Sequence, residues 1–112
     1  MSPINFSKLI HYQSQLPISI KVKVGKSEDG GCWVKVLSLR GCFTQAKSAE
    51  ELFVMVNDAV FTYLDIPESY FPFLPRYFPT EKIKKKLQTW DKCDPIKFPQ
   101  SPITIIFTQM VH

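Results

Sequence analysis

The chain has 112 residues, of which 45% are hydrophobic and 21% are charged, and these values fit one globular domain spanning residues 1–112. They exclude two full domains and a globally disordered chain. No apolar run reaches eighteen residues, and residues 1–17 lack a basic region followed by an apolar core, so we expect a cytoplasmic protein without a membrane segment. The net charge is +4, and most of the excess follows Pro79, where six basic residues face three acidic ones.

Cysteine and histidine do not form a recognisable site. The three cysteines, Cys32, Cys42 and Cys93, are widely spaced and odd in number, unlike a disulfide framework or a zinc site. His11 and His112 lie near opposite ends of the chain. Cys42 is the one tempting nucleophile, but no histidine or carboxylate lies between it and Ser48. We therefore expect thiols packed as small apolar groups, no cofactor, no metal and no catalytic residue.

The first half of the chain predicts an antiparallel sheet. Residues 18–24 alternate apolar and polar side chains, the period of a strand with one buried face. The side chains expected to point inward are Ile18, Ile20, Val22 and Val24. Turn residues separate this strand from residues 32–38, and Gly41 permits a reversal into a third strand at residues 42–46. Three sequential strands with short links predict a meander.

A capped helix follows the third strand. Ser48 and Glu51 form an S-x-x-E capping box, and Glu50 and Glu51 favour the positive end of the helix dipole. The helix should close before Pro67, because the residue before proline disfavours the helical conformation. The apolar stripe expected to lie across the sheet consists of Leu52, Val56, Ala59, Val60, Tyr63 and Leu64.

Residues 67–102 are predicted to be an insertion before the last strand. It opens with PESYFPFLPRYFP, an irregular loop pinned to the body by its rings, although an exposed aromatic surface for a partner is the alternative. On that alternative the contacts would be Tyr70, Phe71 and Phe73. A short amphipathic helix at residues 81–90 follows, and residues 103–109 predict a strand buried in the sheet or at a subunit contact. The predicted fold is α+β, with element order β-β-β-α-(α)-β.

Lysines of the C-terminal third allow a second hypothesis, in which the protein binds nucleic acid and loop aromatics stack on bases. Lysine runs on short helices are more often solvated faces, which we favour. The residues concerned are Lys82, Lys84, Lys85, Lys86, Lys92 and Lys97.

The segment Gly30 to Leu64 resembles the N-terminal domain of HicB-like antitoxins of type II toxin-antitoxin systems. That family has a Trp- or Tyr-bearing strand leading to GC-x-T-x-G, then T-x-E-E-A and an amphipathic helix. The matching positions here are Trp33, Gly41, Cys42, Thr44, Ser48, Glu50, Glu51 and Ala59. Arg40 stands where the family often has proline, Ala46 where it has a second glycine, and Leu52 where it often has alanine.

The resemblance implies a reduced RNase H-like fold without catalysis, and a protein that binds and blocks a small basic RNA-cleaving HicA-like toxin. The chain stops soon after its last strand, so we expect a stand-alone form that lacks the DNA-binding module of many family members. Nuclease activity is not expected, because the first strand carries lysines where metal-binding carboxylates would be needed. A small sheet covered by one main helix also predicts a homodimer or a dimer of dimers.

Overall fold

The computed structural model of the chain describes residues 4–26, 31–88 and 103–110, which form helices on a five-stranded antiparallel sheet. The helices are α1 (Phe6–Gln15), α2 (Ala49–Tyr63) and α3 (Glu81–Gln88), with a 3₁₀ helix at Glu68–Phe73. The strands are β1 (Ser19–Lys26), β2 (Cys32–Val36), β3 (Phe43–Ala46), β4 (Arg76–Phe78) and β5 (Ile103–Met110). Their order across the sheet is β3-β2-β1-β5-β4.

The α+β class and the meander of β1, β2 and β3 are confirmed, but the number of strands differs from the prediction. The sheet has five strands rather than three plus one, because β4 lies inside the proline-rich segment predicted to be irregular. Three residues between prolines carry too little periodicity to indicate a strand. Pairing with β5, in which Tyr77 lies opposite Gln109, makes this segment a strand.

Helix α1 was also absent from the prediction. Its N-cap is Asn5, whose side chain accepts a hydrogen bond from the Lys8 amide at 3.1 Å. The helix has no buried residue, so its sequence shows little amphipathic pattern. It lies against the 3₁₀ helix, where the rings of Tyr12 and Tyr70 meet edge to face with centroids 5.1 Å apart.

The inner face of the sheet forms the core, and α2 packs across it. In β1, Ile20, Val22 and Val24 are buried as predicted, opposite apolar partners on β2 and β5. Ile18 was wrongly placed inward: it precedes β1 and its side chain is 77% exposed. The alternation therefore begins two residues later than the sequence pattern indicated.

Both ends of α2 are held by local hydrogen bonds. The hydroxyl of Ser48 accepts a hydrogen bond from the Glu51 amide at 3.1 Å, as the capping box predicts. At the other end Asp65 adopts a left-handed conformation with φ of 58°, and the Ile66 amide donates to the Phe61 carbonyl at 3.0 Å. This Schellman-type arrangement ends the helix before the proline, as expected.

The buried face of α2 is broader than the predicted stripe. Leu52, Val56 and Val60 are fully buried as expected, but Tyr63 is 43% exposed. The stripe omitted three buried residues, Phe53, Asn57 and Phe61. They belong to the face because β4 and the 3₁₀ helix pack beside α2 and widen the covered arc, which the helix sequence alone does not reveal. No helix in the described ranges is long and apolar enough to span a membrane.

Candidate functional site

The Gly41-Cys42 pair forms the reversal between β2 and β3. Three backbone hydrogen bonds tie the loop together: Leu39 N to Val36 O at 3.1 Å, Cys42 N to Leu39 O at 3.0 Å, and Val36 N to Cys42 O at 2.9 Å. Gly41 has a φ of +79°, a conformation that residues with a Cβ rarely adopt. The glycine is thus required by the turn and not by a bound group.

The Cys42 thiol faces the packing helix. Its side chain is 5% exposed, and Sγ lies 3.6 Å from the carbonyl oxygen of Ala59, to which it donates. Burial raises the pKa of the Cys42 thiol, which keeps it protonated and weakly nucleophilic. The turn and α2 therefore meet through two of the residues that carry the family resemblance.

Iodoacetamide should alkylate Cys42 at least about tenfold more slowly in the folded protein than in guanidinium, because the protected thiol reacts only when the turn opens. Peptide mass mapping over time would separate Cys42 from the other cysteines. Equal rates in the folded and unfolded protein would show that the thiol is accessible, and would contradict its role in packing.

The other signature residues are spread over the unit. Thr44 lies opposite Val34 on the inner face and is half-buried, whereas Glu50 and Glu51 are exposed in the first turn of α2. Trp33 is half-buried on the outer face, directly opposite Gly25 of β1. Its indole occupies the space that a Cβ on Gly25 would take, so the glycine lets the ring lie across β1.

The aromatic residues named as partner contacts have different environments. Tyr70 is buried, and its hydroxyl accepts a hydrogen bond from the Asn5 amide at 3.2 Å. Phe71 is partly buried against Phe61, with ring centroids 5.0 Å apart. Phe73 is 52% exposed. Tyr70 and Phe71 thus anchor this segment to the core, and Phe73 alone of the three presents a large exposed surface.

The lysines of α3 do not converge on those aromatics. Lys84 lies over the ring of Phe78, 5.1 Å from its centroid, while Lys82 and Lys85 are exposed. The side chain of Lys86 lies outside the described part of the structure, as do Lys92 and Lys97. One of the three described lysines is therefore engaged in a cation–π contact within the protein.

A larger basic and aromatic surface lies on the outer face of the sheet, which the sequence analysis did not single out. We call it the outer sheet face. The side chains that define it by strand register are Lys21, Lys23, Trp33, Lys35, Phe43, Gln45, Thr104 and Ile106. The signal was present in the polar half of the alternating β1 sequence, whose lysines occupy the positions between the buried residues.

One corner of the outer sheet face is concave. A groove of about 490 Å³ lies beside the reversal between β2 and β3, with Trp33, Lys35, Arg40 and Phe43 among its lining residues. It combines two cationic and two aromatic side chains. Within residues 4–26, 31–88 and 103–110 no three His, Cys, Asp or Glu side chains cluster to hold a metal ion.

Two curated proteins share this sequence. A UPF0150 protein of Archaeoglobus fulgidus is 46% identical over 48 residues, which are 43% of this chain and 70% of the relative. A UPF0150 protein of Thermoplasma acidophilum is 34% identical over 55 residues, 49% of this chain and 80% of the relative. The chain belongs to the UPF0150 family.

Neither a protein-family model nor a solved structure matches this UPF0150 chain. Because 48 residues make up 70% of one relative and 55 make up 80% of the other, each relative is about 69 residues long. The present UPF0150 protein, with 112 residues, is therefore considerably longer than either.

Proposed function

We propose that this UPF0150 chain is a HicB-like, antitoxin-type protein without catalysis of its own, which binds and neutralises a small HicA-like RNA-cleaving toxin. The residues that carry the resemblance support this, since they belong to one packed unit of β2, its reversal, β3 and α2. The cysteine of the reversal contacts the helix through Ala59, and Ser48 caps the same helix.

Charge separation along the chain is the observation that carries the mode of binding. Residues 48–75, which include α2 and the 3₁₀ helix, contain five carboxylates and no lysine or arginine. The acidic residues are Glu50, Glu51, Asp58, Asp65 and Glu68. The excess of positive charge therefore lies elsewhere, and this part of the protein can attract a basic partner.

The toxin would dock on the exposed side of α2. Glu50 and Glu51 are exposed, Asp58 is half-buried, and Val54 between them is 48% exposed. Positions 50, 54 and 58 are four residues apart, so they share one side of the helix. Acidic groups around an exposed apolar side chain match a basic surface with an apolar centre.

Co-expression with the product of the neighbouring small open reading frame tests the proposal. We expect the small protein to inhibit growth alone, and the pair to restore growth and to purify as a complex. Asp58→Asn should weaken the complex by about tenfold, chiefly through slower association that also becomes less dependent on salt. Glu81→Gln, which removes one exposed carboxylate on α3, is the matched control and should leave affinity unchanged. A harmless product that does not co-purify would end the proposal.

Self-association remains part of the proposal, but by a different route from the one predicted. Strand β5 lies between β1 and β4, so its two edges are already paired and it cannot add a second copy. Within the described sheet, β3 and β4 are the outer strands. We propose a homodimer paired through β3, and light scattering at micromolar concentration would contradict it by returning the mass of one chain.

A further inference from the structure

The strands of this protein are uniformly basic. The five strands contain four lysines, one arginine and no acidic residue. Three of those lysines, Lys21, Lys23 and Lys35, lie on the outer sheet face, on the opposite side of the sheet from α2. The charge of this face is thus opposite to that of the helix proposed to bind a toxin.

Two of the lysines face each other across the ladder. Lys23 of β1 is the direct partner of Lys35 of β2 in the antiparallel register. Side chains in such pairs start from Cβ atoms about 5 Å apart, and like charges there destabilise a sheet. An anion held between the two ammonium groups would remove this repulsion, so the pair has the arrangement expected for binding phosphate.

Aromatic side chains continue the same rows. Phe43 is the cross-strand partner of Lys35 and is 71% exposed, an unusual position for a ring with no binding role. Trp33 lies next to them and lines the groove with Phe43, Lys35 and Arg40. A base stacked on an aromatic ring while its phosphate meets a lysine is the common pattern of single-strand recognition.

We propose that the outer sheet face binds single-stranded RNA. Lys21, Lys23 and Lys35 contact phosphates, and bases stack on Phe43 and Trp33. A duplex fits less well, because its bases are stacked on each other and not available to the rings.

Polar groups beside the lysines favour RNA over DNA. Thr104 is the partner of Lys23, and Gln45 is the partner of Trp33. Their hydroxyl and amide groups can pair with a ribose 2′-hydroxyl, which distinguishes RNA from DNA. This inference does not rest on the antitoxin proposal, since it uses the other side of the sheet and no residue of α2.

Fluorescence anisotropy with a labelled oligouridine of about 12 nucleotides tests the site. Affinity of the full chain should fall on raising salt from about 50 to about 200 mM, with a logarithmic slope near −2 for three phosphate contacts. Phe43→Thr should weaken binding by about fivefold to 150-fold, the range for loss of one stacked base. Lys35→Thr should weaken it by about three- to tenfold and make the slope shallower by about 0.7.

Two controls separate binding from folding. Lys35→Thr removes a repulsive pair and introduces a good strand former, so its melting temperature should stay equal or rise while affinity falls. Lys82→Thr removes an exposed charge on α3 and should leave affinity and slope unchanged. Equal losses in Lys35→Thr and Lys82→Thr would overturn the site, since they would indicate nonspecific attraction to total charge.

Competition experiments decide among ligands. An unlabelled RNA duplex of the same length and a polyglutamate peptide should each compete at least about tenfold less well than oligouridine. Equal competition by polyglutamate would show an acidic protein surface to be the better partner. Equal binding of oligothymidine would overturn the assignment to RNA, and no binding at about 50 mM salt would overturn the proposal as a whole.

Discussion

Replacing Asn57 by alanine is expected to lower the free energy of unfolding by about 3 kcal/mol, although Asn57 touches no proposed ligand site. Asn57 is 1% exposed and is the buried polar residue of the described core. Its Oδ1 accepts a hydrogen bond from the Tyr77 amide at 2.6 Å, and its Nδ2 donates to the Tyr77 carbonyl at 3.0 Å. The side chain thus pairs with both backbone groups of one strand residue.

The large effect follows from where Tyr77 lies. Strand β4 is at the edge of the sheet, so one side of its backbone has no neighbouring strand. Asn57 takes the place of that strand, and a second bond from Nδ2 to the Phe53 carbonyl at 2.8 Å holds the amide in position. Removing it leaves a buried N–H and a buried C=O without partners, each costing about 1–3 kcal/mol. The uncovered edge would also become open to pairing with other chains.

Urea denaturation followed by circular dichroism would measure this change. The melting temperature should fall by roughly 10 °C or more, as expected for a domain of this size. Asn57→Leu keeps the volume but not the hydrogen bonds and should be similarly destabilised. If Asn57→Leu were as stable as the original protein, the two bonds to Tyr77 would not contribute to folding.

Replacing Phe53 by alanine should lower the free energy of unfolding by about 3–5 kcal/mol, the range for deleting a buried phenyl ring. Phe53 is 7% exposed and contacts two rings edge to face, those of Phe78 and Phe107, with centroids 6.0 and 6.3 Å away. It therefore joins α2 to both β4 and β5. Such a loss is a large part of the 5–15 kcal/mol that stabilises a typical domain.

The adjacent residue offers a matched control. Val54 lies on the same turn of α2 and is 48% exposed, so Val54→Ala should change stability by no more than about 0.5 kcal/mol. The same denaturation experiment applies to both variants. Comparable losses in the two would mean that position on the helix does not decide the effect, contrary to the packing described above.

The sequence predicted the local features of the family segment well. Ser48 and Glu51 identified the start of α2, and the inward positions of β1 from Ile20 onward were correct. Such features depend on residues close in sequence, because capping and strand alternation need only a few neighbours. The interpretation of Cys42 as a packed thiol agrees with its burial and its raised pKa.

The candidate surfaces were less accessible to sequence reasoning. Attention fell on the lysines near α3 because they are consecutive, whereas Lys23 and Lys35 are twelve positions apart and meet only through strand register. Exposure of Phe43 was likewise invisible, since an aromatic residue in a strand is more often buried. A reader of the sequence alone could have noted that the polar positions of β1 are lysines, but not which side chains face them.

The amino-acid sequence by itself determined the α+β class, the meander, the capped helix and the turn at Gly41, since each follows from short-range hydrogen bonding and hydrophobic period. Only the tertiary structure decided that β5 enters the sheet between β1 and β4, and that Asn57 completes the edge at Tyr77. It also separated an acidic helix from a basic sheet face. These properties depend on contacts between residues distant along the chain, and such contacts are selected by burial of the whole core and not by any local pattern.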